Sequence, residues 1–205
     1  MNRRRYLGIT VGSTVGVAGC VGAGGDQSGQ TVNSFPNVSA NADPVPDRHD
    51  AEIDVETVDQ FSESAPASVR ITYTNTATSK REVQFTTSAP FPPYTGQAVD
   101  GDGQLSIIPK SRENIDPQPK PADEMNDPFV PLQPQDGCWR ARATVAGNDV
   151  AVTRTLDPDE SVGETYVLMA HLKSSSCLAI GDYRFNAPHY FEKDSAWGFD
   201  ISLNQ

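Results

Sequence analysis

From about residue 51 onward, apolar and polar side chains alternate in short runs. Ile53, Val55 and Val58 predict a first strand. Val69, Ile71 and Tyr73 alternate with Arg70, Thr72 and Thr74, and Asn75-Thr76-Ala77-Thr78-Ser79 reads as a turn. Val83 and Phe85 resume the alternation against Glu82 and Gln84, so the two runs predict a β-hairpin. Leu105-Ser106-Ile107-Ile108 follows a turn at Asp100-Gly101-Asp102-Gly103. Cys138 to Val145 alternates again, and Gly147-Asn148-Asp149 turns into Val150-Ala151-Val152. Leu156 to Ser161 is a turn before Tyr166-Val167-Leu168-Met169. Asp182 to Phe185 and Trp197 to Leu203 complete the strands. No stretch carries a helical period. Seven to nine short strands separated by such turns predict an all-β fold, an immunoglobulin-like antiparallel β-sandwich, over residues 51–205. That length suits one core and not two full domains.

One segment interrupts the rhythm. Between Pro109 and Gly137 stand Pro109, Pro117, Pro119, Pro121, Pro128, Pro131 and Pro134. Proline removes ladder donors, so residues 109–137 are expected to form a long loop, either a cover or a recognition surface. Pro90-Phe91-Pro92-Pro93-Tyr94 reads as a packed strand end.

The N-terminal region has a different character. Arg3-Arg4-Arg5-Tyr6-Leu7 precedes a short small-residue apolar stretch, and Val17-Ala18-Gly19-Cys20 closes it. Paired arginines Arg3 and Arg4 before an aromatic-aliphatic pair read as a twin-arginine export signal over residues 1–19. Val-Ala-Gly-Cys looks like a lipobox, with cleavage before Cys20 and a lipid on its sulfur. Tyr6 to Ala18 falls short of the roughly 20 apolar residues needed to span a bilayer. The alternative, an uncut membrane helix, would favour Leu and Ile over the Gly, Ser and Thr found here. Residues 20–50 are rich in Gly, Ser, Asn, Gln, Asp and Pro and read as a lipid-anchored flexible tether. Within it, Asn37-Val38-Ser39 is a sequon, which makes Asn37 a candidate glycan acceptor. These features place the chain outside the cytoplasmic membrane and attached to it by the lipid.

Charge narrows the setting. The formal net charge is −11. Cleavage before Cys20 removes three arginines and no acid, leaving 13 of the 16 basic residues against 27 acids. Acid excess with few lysines keeps a protein hydrated in concentrated salt, which points to a halophilic archaeon. It also argues against nucleic acid as a partner, because phosphates need a basic surface.

Of the three cysteines, Cys138 and Cys177 remain beside the lipid site. An even pair in an oxidising setting reads as a disulfide. Two buried thiols or a metal site are the alternatives, and no CxxC or Cys/His cluster accompanies them. Copper would need Cys, His and Met in an order that Cys177, His189 and Met169 do not follow. No cofactor is expected.

Two segments carry a resemblance. Asp136-Gly137-Cys138-Trp139-Arg140-Ala141 and Cys177-Leu178-Ala179-Ile180-Gly181-Asp182-Tyr183-Arg184-Phe185 resemble the "GCWR" and "CLPPGEYRF" segments of an uncharacterised haloarchaeal family of twin-arginine-exported lipoproteins and surface proteins with an Ig-like β-sandwich domain. Between them that family has an "L-x-P-G-E" turn, represented here by Leu156-Asp157-Pro158-Asp159-Glu160. Asp159 replaces the glycine, and Ala179-Ile180 the two prolines. The strand end Ile71 to Thr76 resembles extracellular Ig-like modules and the family named for an intracellular proteinase inhibitor. The resemblance implies a β-sandwich and a Cys138–Cys177 bridge, and it implies no activity.

Candidate chemistry is sparse. Three histidines, His49, His171 and His189, have no sequence-adjacent nucleophile placed to form a triad, and there is no G-x-S-x-G. Asp100-Gly101-Asp102-Gly103 lacks the later ligands of a calcium loop. Trp139 is expected to pack on the disulfide, and Tyr183 to form a tyrosine corner. The expectation is a non-enzymatic surface module that acts by non-covalent binding, a surface protein being a candidate partner, or that serves the envelope; an extracellular protease inhibitor and an enzyme of unknown type are the alternatives.

Overall fold

The structure, a computed structural model, describes residues 35–86, 89–92, 94–120, 127–147, 150–192 and 195–205. Arg3, Arg4 and Cys20 lie outside the described residues, as do Asn148, Asp149 and Pro93.

The described chain is all-β, with one 3₁₀ turn at Asp47–His49. Its strands are β1 (Asn37–Ala42), β2 (Ala51–Asp59), β3 (Ser68–Asn75), β4 (Arg81–Thr86), β5 (Thr95–Ala98) and β6 (Gln104–Pro109). They continue with β7 (Ile115–Gln118), β8 (Thr144–Gly147), β9 (Ala151–Leu156), β10 (Ser161–Ala170), β11 (Gly181–Glu192) and β12 (Ser195–Asn204). Eight strands form one antiparallel sheet in the order β1-β12-β11-β5-β6-β10-β3-β2, curled nearly into a barrel. The two edge strands meet through a side chain. Val38 N–H donates to Gln60 Oε1 at 2.6 Å, and Gln60 Nε2 donates to Val38 O at 2.9 Å. The Gln60 amide thus satisfies one residue of an edge that would otherwise lack partners.

The alternation seen in the sequence faces the interior. Trp197, Phe199, Ile201 and Leu203 of β12 are all buried, as are Val69, Ile71 and Tyr73 of β3. β6 and β10 carry unbroken buried runs, Leu105–Pro109 and Tyr166–Ala170, the mark of strands covered on both faces. Gly198 permits a close approach in β12. A Cβ there would collide with Phe185 O and the Arg184 guanidinium.

Several expectations need correction. The flexible tether does not extend to residue 50. Residues 37–42 form β1, paired along its length with β12, and only Val38 among them is buried. Beyond β1, Asp43 N–H donates to Gly198 O at 2.9 Å and the Arg184 guanidinium grips the Asp43 carboxylate. The predicted hairpin is not one. β3 pairs with β2 and β10, while β4 pairs with β9 in a separate ribbon. Alternation specifies which face is buried and leaves the partner open. The proline-rich stretch 109–137 is not simply a loop. It contains β7, which pairs with β8 and takes Pro117 at the margin of a two-stranded ribbon. It also contributes the buried Ile115 and Phe129 to the core. The run from Cys138 is a strand only over β8.

Candidate functional cleft

Three segments distant in sequence converge at one end of the sheet. The 3₁₀ turn brings Arg48 and His49. β4, leaving the main sheet, brings Arg81, Val83 and Phe85. The far half of β11 brings Pro188, His189, Tyr190 and Phe191. Together with Tyr73 and the Pro90 and Pro92 segment they enclose a cleft of about 780 Å³.

The β11 wall exists because of a bulge. Ala187 pairs with Trp197 and Glu192 with Ser195, so residues 188–191 stand against Ala196 alone. Pro188 has no N–H for a ladder, and bulges re-aim side chains out of the sheet. Here the bulge turns an aromatic pair toward the cleft. Phe191 stacks on His49 with centroids 4.3 Å apart and planes 11° from parallel. Tyr190 meets Phe191 edge-on at 4.9 Å. Tyr73 and Phe85, buried in the core at the margin of the cleft, form a perpendicular pair at 5.5 Å.

Hydrogen bonds fix these walls. Tyr190 donates its hydroxyl to Pro90 O at 2.6 Å, and Phe91 N–H donates to the Tyr166 hydroxyl at 3.2 Å. Arg81 Nη1 donates to His49 O at 2.5 Å and to Asp50 O at 3.2 Å, tying β4 to the 3₁₀ turn. Burial raises the Tyr73 hydroxyl above its ordinary pKa, and the Arg81 charge pulls it partly back. Burial raises Tyr190 much further. Both phenols are therefore protonated near neutral pH and serve as hydrogen-bonding groups. The cleft lining thus combines largely buried rings with polar side chains, among them Arg81, Glu82, Gln84 and Asn186. That assortment suits recognition of a ligand with both apolar and polar surface.

The sequence-predicted residues fall elsewhere, apart from His49 and His189. Cys138 and Cys177 form a disulfide with Cα atoms 5.8 Å apart. Asn37 is exposed at the start of β1. His171 is buried just after β10, and its Nδ1 accepts from Lys173 N–H at 3.2 Å. Burial and the Lys173 charge both lower its pKa. Trp139 is buried and donates Nε1–H to Ser62 O at 2.7 Å. The Tyr183 hydroxyl donates to Ala179 O at 2.8 Å, four residues upstream, as a tyrosine corner does. Among the described residues no group of three His, Cys, Asp or Glu side chains is placed to hold a metal ion.

Arg48, Arg81, Phe85, Tyr190 and Phe191 were not singled out from the sequence. The signal that points to them is Pro188 inside an otherwise alternating strand, beside two aromatics and a histidine.

No protein-family model, no curated protein and no solved structure matches this chain.

Proposed function

We propose that this chain is a cell-surface binding module of a halophilic archaeon, exported by the twin-arginine route and anchored through a lipid on Cys20. The leader and the acidic charge support the address. One geometric observation supports the role. The chain enters the sheet at Asn37, and β1 begins where β12 ends, with Val38 paired to Leu203. The cleft lies at the other end of the same strands, where Trp197 pairs with Ala187 beside the bulge. Six residue steps of β12 separate the two ends, about 20 Å at 3.3 Å per residue. With Cys20 read as the anchor, the domain is proposed to meet a ligand or a surface partner outside the membrane.

The module acts by non-covalent binding and not as an enzyme, a reading supported by walls made of rings and donors. Its fold is read as Ig-like, the curled sheet corresponding to two layers, β1-β12-β11-β5 and β6-β10-β3-β2. The tyrosine corner at Tyr183 supports that reading. Asn37, exposed on an edge strand, is the proposed glycan site.

The test is fractionation of cells at native salt. The full chain is expected in membranes and open to external protease, and a Cys20→Ser variant in the medium. A cytoplasmic wild-type chain would remove the proposal.

A second reading, an inhibitor of extracellular proteases, rests on Leu132. It is 76% exposed, flanked by Pro131 and Pro134. Phe129 is buried on one side of it, and a Gln135–Cys138 bridge and the disulfide brace the other. An apolar side chain on a braced loop is a shape that fits a protease cleft. Inhibition of a secreted protease that is lost in Leu132→Gly would favour this reading over the first.

A further inference from the structure

We infer that the cleft is a docking groove for an extended segment of another protein, which adds as a strand along the outer edge of β4. The inference deepens the binding-module reading above and rests on it.

The first observation is how the walls are lined. A groove lying over the face of a strand touches every second residue, because successive side chains point to opposite sides. All six residues of β4, Arg81–Thr86, line this cleft, and so do all six of β11 from 186 to 191. Both walls are therefore strand edges. Among the described residues β4 pairs with β9 alone. Every second residue of an antiparallel strand turns its N–H and C=O away from its partner, which on β4 is the side of the cleft. Across the cleft, the ladder from β11 to β5 stops at Arg184, and the ladder to β12 is interrupted between Ala187 and Glu192. The two walls are fixed to one turn and not to each other. Arg81 donates to His49 O, and Phe191 stacks on the His49 ring.

The two edges are not equivalent. Sheet edges are commonly blunted by proline, a bulge or a charge. The β11 wall has Pro188 and the bulge. β4 has no proline, runs in unbroken register with β9, and directs its Arg81 guanidinium to the carbonyls of His49 and Asp50. It is the edge left able to pair, and an extended peptide added to such an edge gains main-chain hydrogen bonds.

Side chains set the chemistry of the partner. Val83 is half-buried and Phe85 buried, while Glu82, Gln84 and Thr86 are exposed. An added strand continues this alternation, apolar beside Val83 and Phe85 and polar beside Glu82 and Gln84. Glu82 takes part in no ion pair among the described residues. A basic side chain opposite it complements that charge.

The experiment is fluorescence-anisotropy titration of the full chain at native salt with two sets of labelled synthetic octapeptides. In one set apolar residues alternate with lysine and threonine, in the other with glutamate and threonine. Each peptide is also made with N-methyl groups on its odd or on its even peptide bonds. A strand paired along one edge uses alternate N–H groups, so one methylation phase is expected to weaken binding about tenfold and the other to change it little. The lysine set is expected to bind more tightly, and Glu82→Lys, at an exposed position, to reverse that order. Amide hydrogen exchange followed by NMR is expected to slow at alternate residues of β4 on binding. Equal effects of the two methylation phases would overturn strand addition. A preference that Glu82→Lys leaves unchanged would overturn the partner's chemistry. Binding without slower exchange in β4 would place the site elsewhere and overturn the inference, as would failure of every peptide to bind. Photo-cross-linking from position 189 on intact cells separates the two levels. An adduct there beside failed peptides would remove strand addition and keep the binding module, whereas no adduct would remove both.

Discussion

His49 lies flat against Phe191, centroids 4.3 Å apart, although 142 positions separate the two in the chain. The contact joins the turn before β2 to the bulge of β11, two segments that share no ladder. Stacked ring pairs contribute about 0.5–1.5 kcal/mol beyond the area they bury. A double-mutant cycle with His49→Ala and Phe191→Ala, followed by urea denaturation at native salt, is expected to return a coupling in that range. Additive single losses would show that the stack does not hold the wall.

Asn75 governs a second junction. It is fully buried, and its Nδ2 donates to Ser79 O, Leu156 O and Asp157 O, each at 3.1 Å. Its main chain pairs with the turn as well, accepting from Asp159 N–H and donating to Glu160 O. Asn75→Ala leaves buried carbonyls without donors, at a cost of about 1–3 kcal/mol. Asn75→Asp places an acceptor against the same carbonyls and is expected to cost at least as much. Unfolding midpoints measured by circular dichroism give the comparison, and an unchanged midpoint would remove Asn75 as the clasp.

How much of this was legible in the sequence follows from what alternation encodes. β2, β3 and β12 announce themselves because large apolar residues recur at every second position, and β6 and β10 through short apolar runs. β1 does not, because an edge strand of Asn, Ser and Ala needs only Val38 to anchor it. The partner of β4 was misread because the turn from Asn75 to Ser79 is opened by bonds to residues more than eighty positions away. Asp159 illustrates the opposite case. It stands where the resembling family has glycine, and its φ of 62° is a left-handed conformation that Asp tolerates better than most residues. The strand end at Asn75 and the turn at Leu156–Glu160 meet in space through the Asn75 side chain. The disulfide was legible from the cysteine count. The cleft was only partly so, since His49, Arg81 and Phe191 converge through topology that no local pattern records.

The proline-rich segment carries a pH dependence. Burial alone would raise the Asp127 carboxyl, but hydrogen bonds from Arg112 and from the Phe129 and Val130 N–H groups outweigh it and hold the pKa below its ordinary value. A depressed carboxyl contributes stability above the unfolded pKa, about 3.9, and loses it as pH falls through the folded value. Asp127→Asn is therefore expected to flatten the loss of stability below about pH 4, with little change in slope between pH 5 and 7. Identical profiles for wild type and variant would show that Asp127 does not anchor this segment.

The Cys138–Cys177 bond closes a loop with a sequence separation of 39. The chain-entropy model gives about 4 kcal/mol for such a closure. A Cys138→Ser, Cys177→Ser double variant is expected to unfold at clearly lower urea, and reduction of the wild type to match it. A variant as stable as the oxidised chain would mean the bridge adds nothing to the fold.

The central claim is that the cleft bearing His189 binds a ligand or partner. A photo-cross-linking residue at position 189, in full-length protein on intact cells at native salt, tests it against the same group at position 63, near Phe35. Illumination is expected to give a discrete adduct from position 189 that disappears in Phe191→Ala, and none of that mass from position 63. Adducts from position 63 alone, or the same adducts from both positions regardless of Phe191, would contradict it.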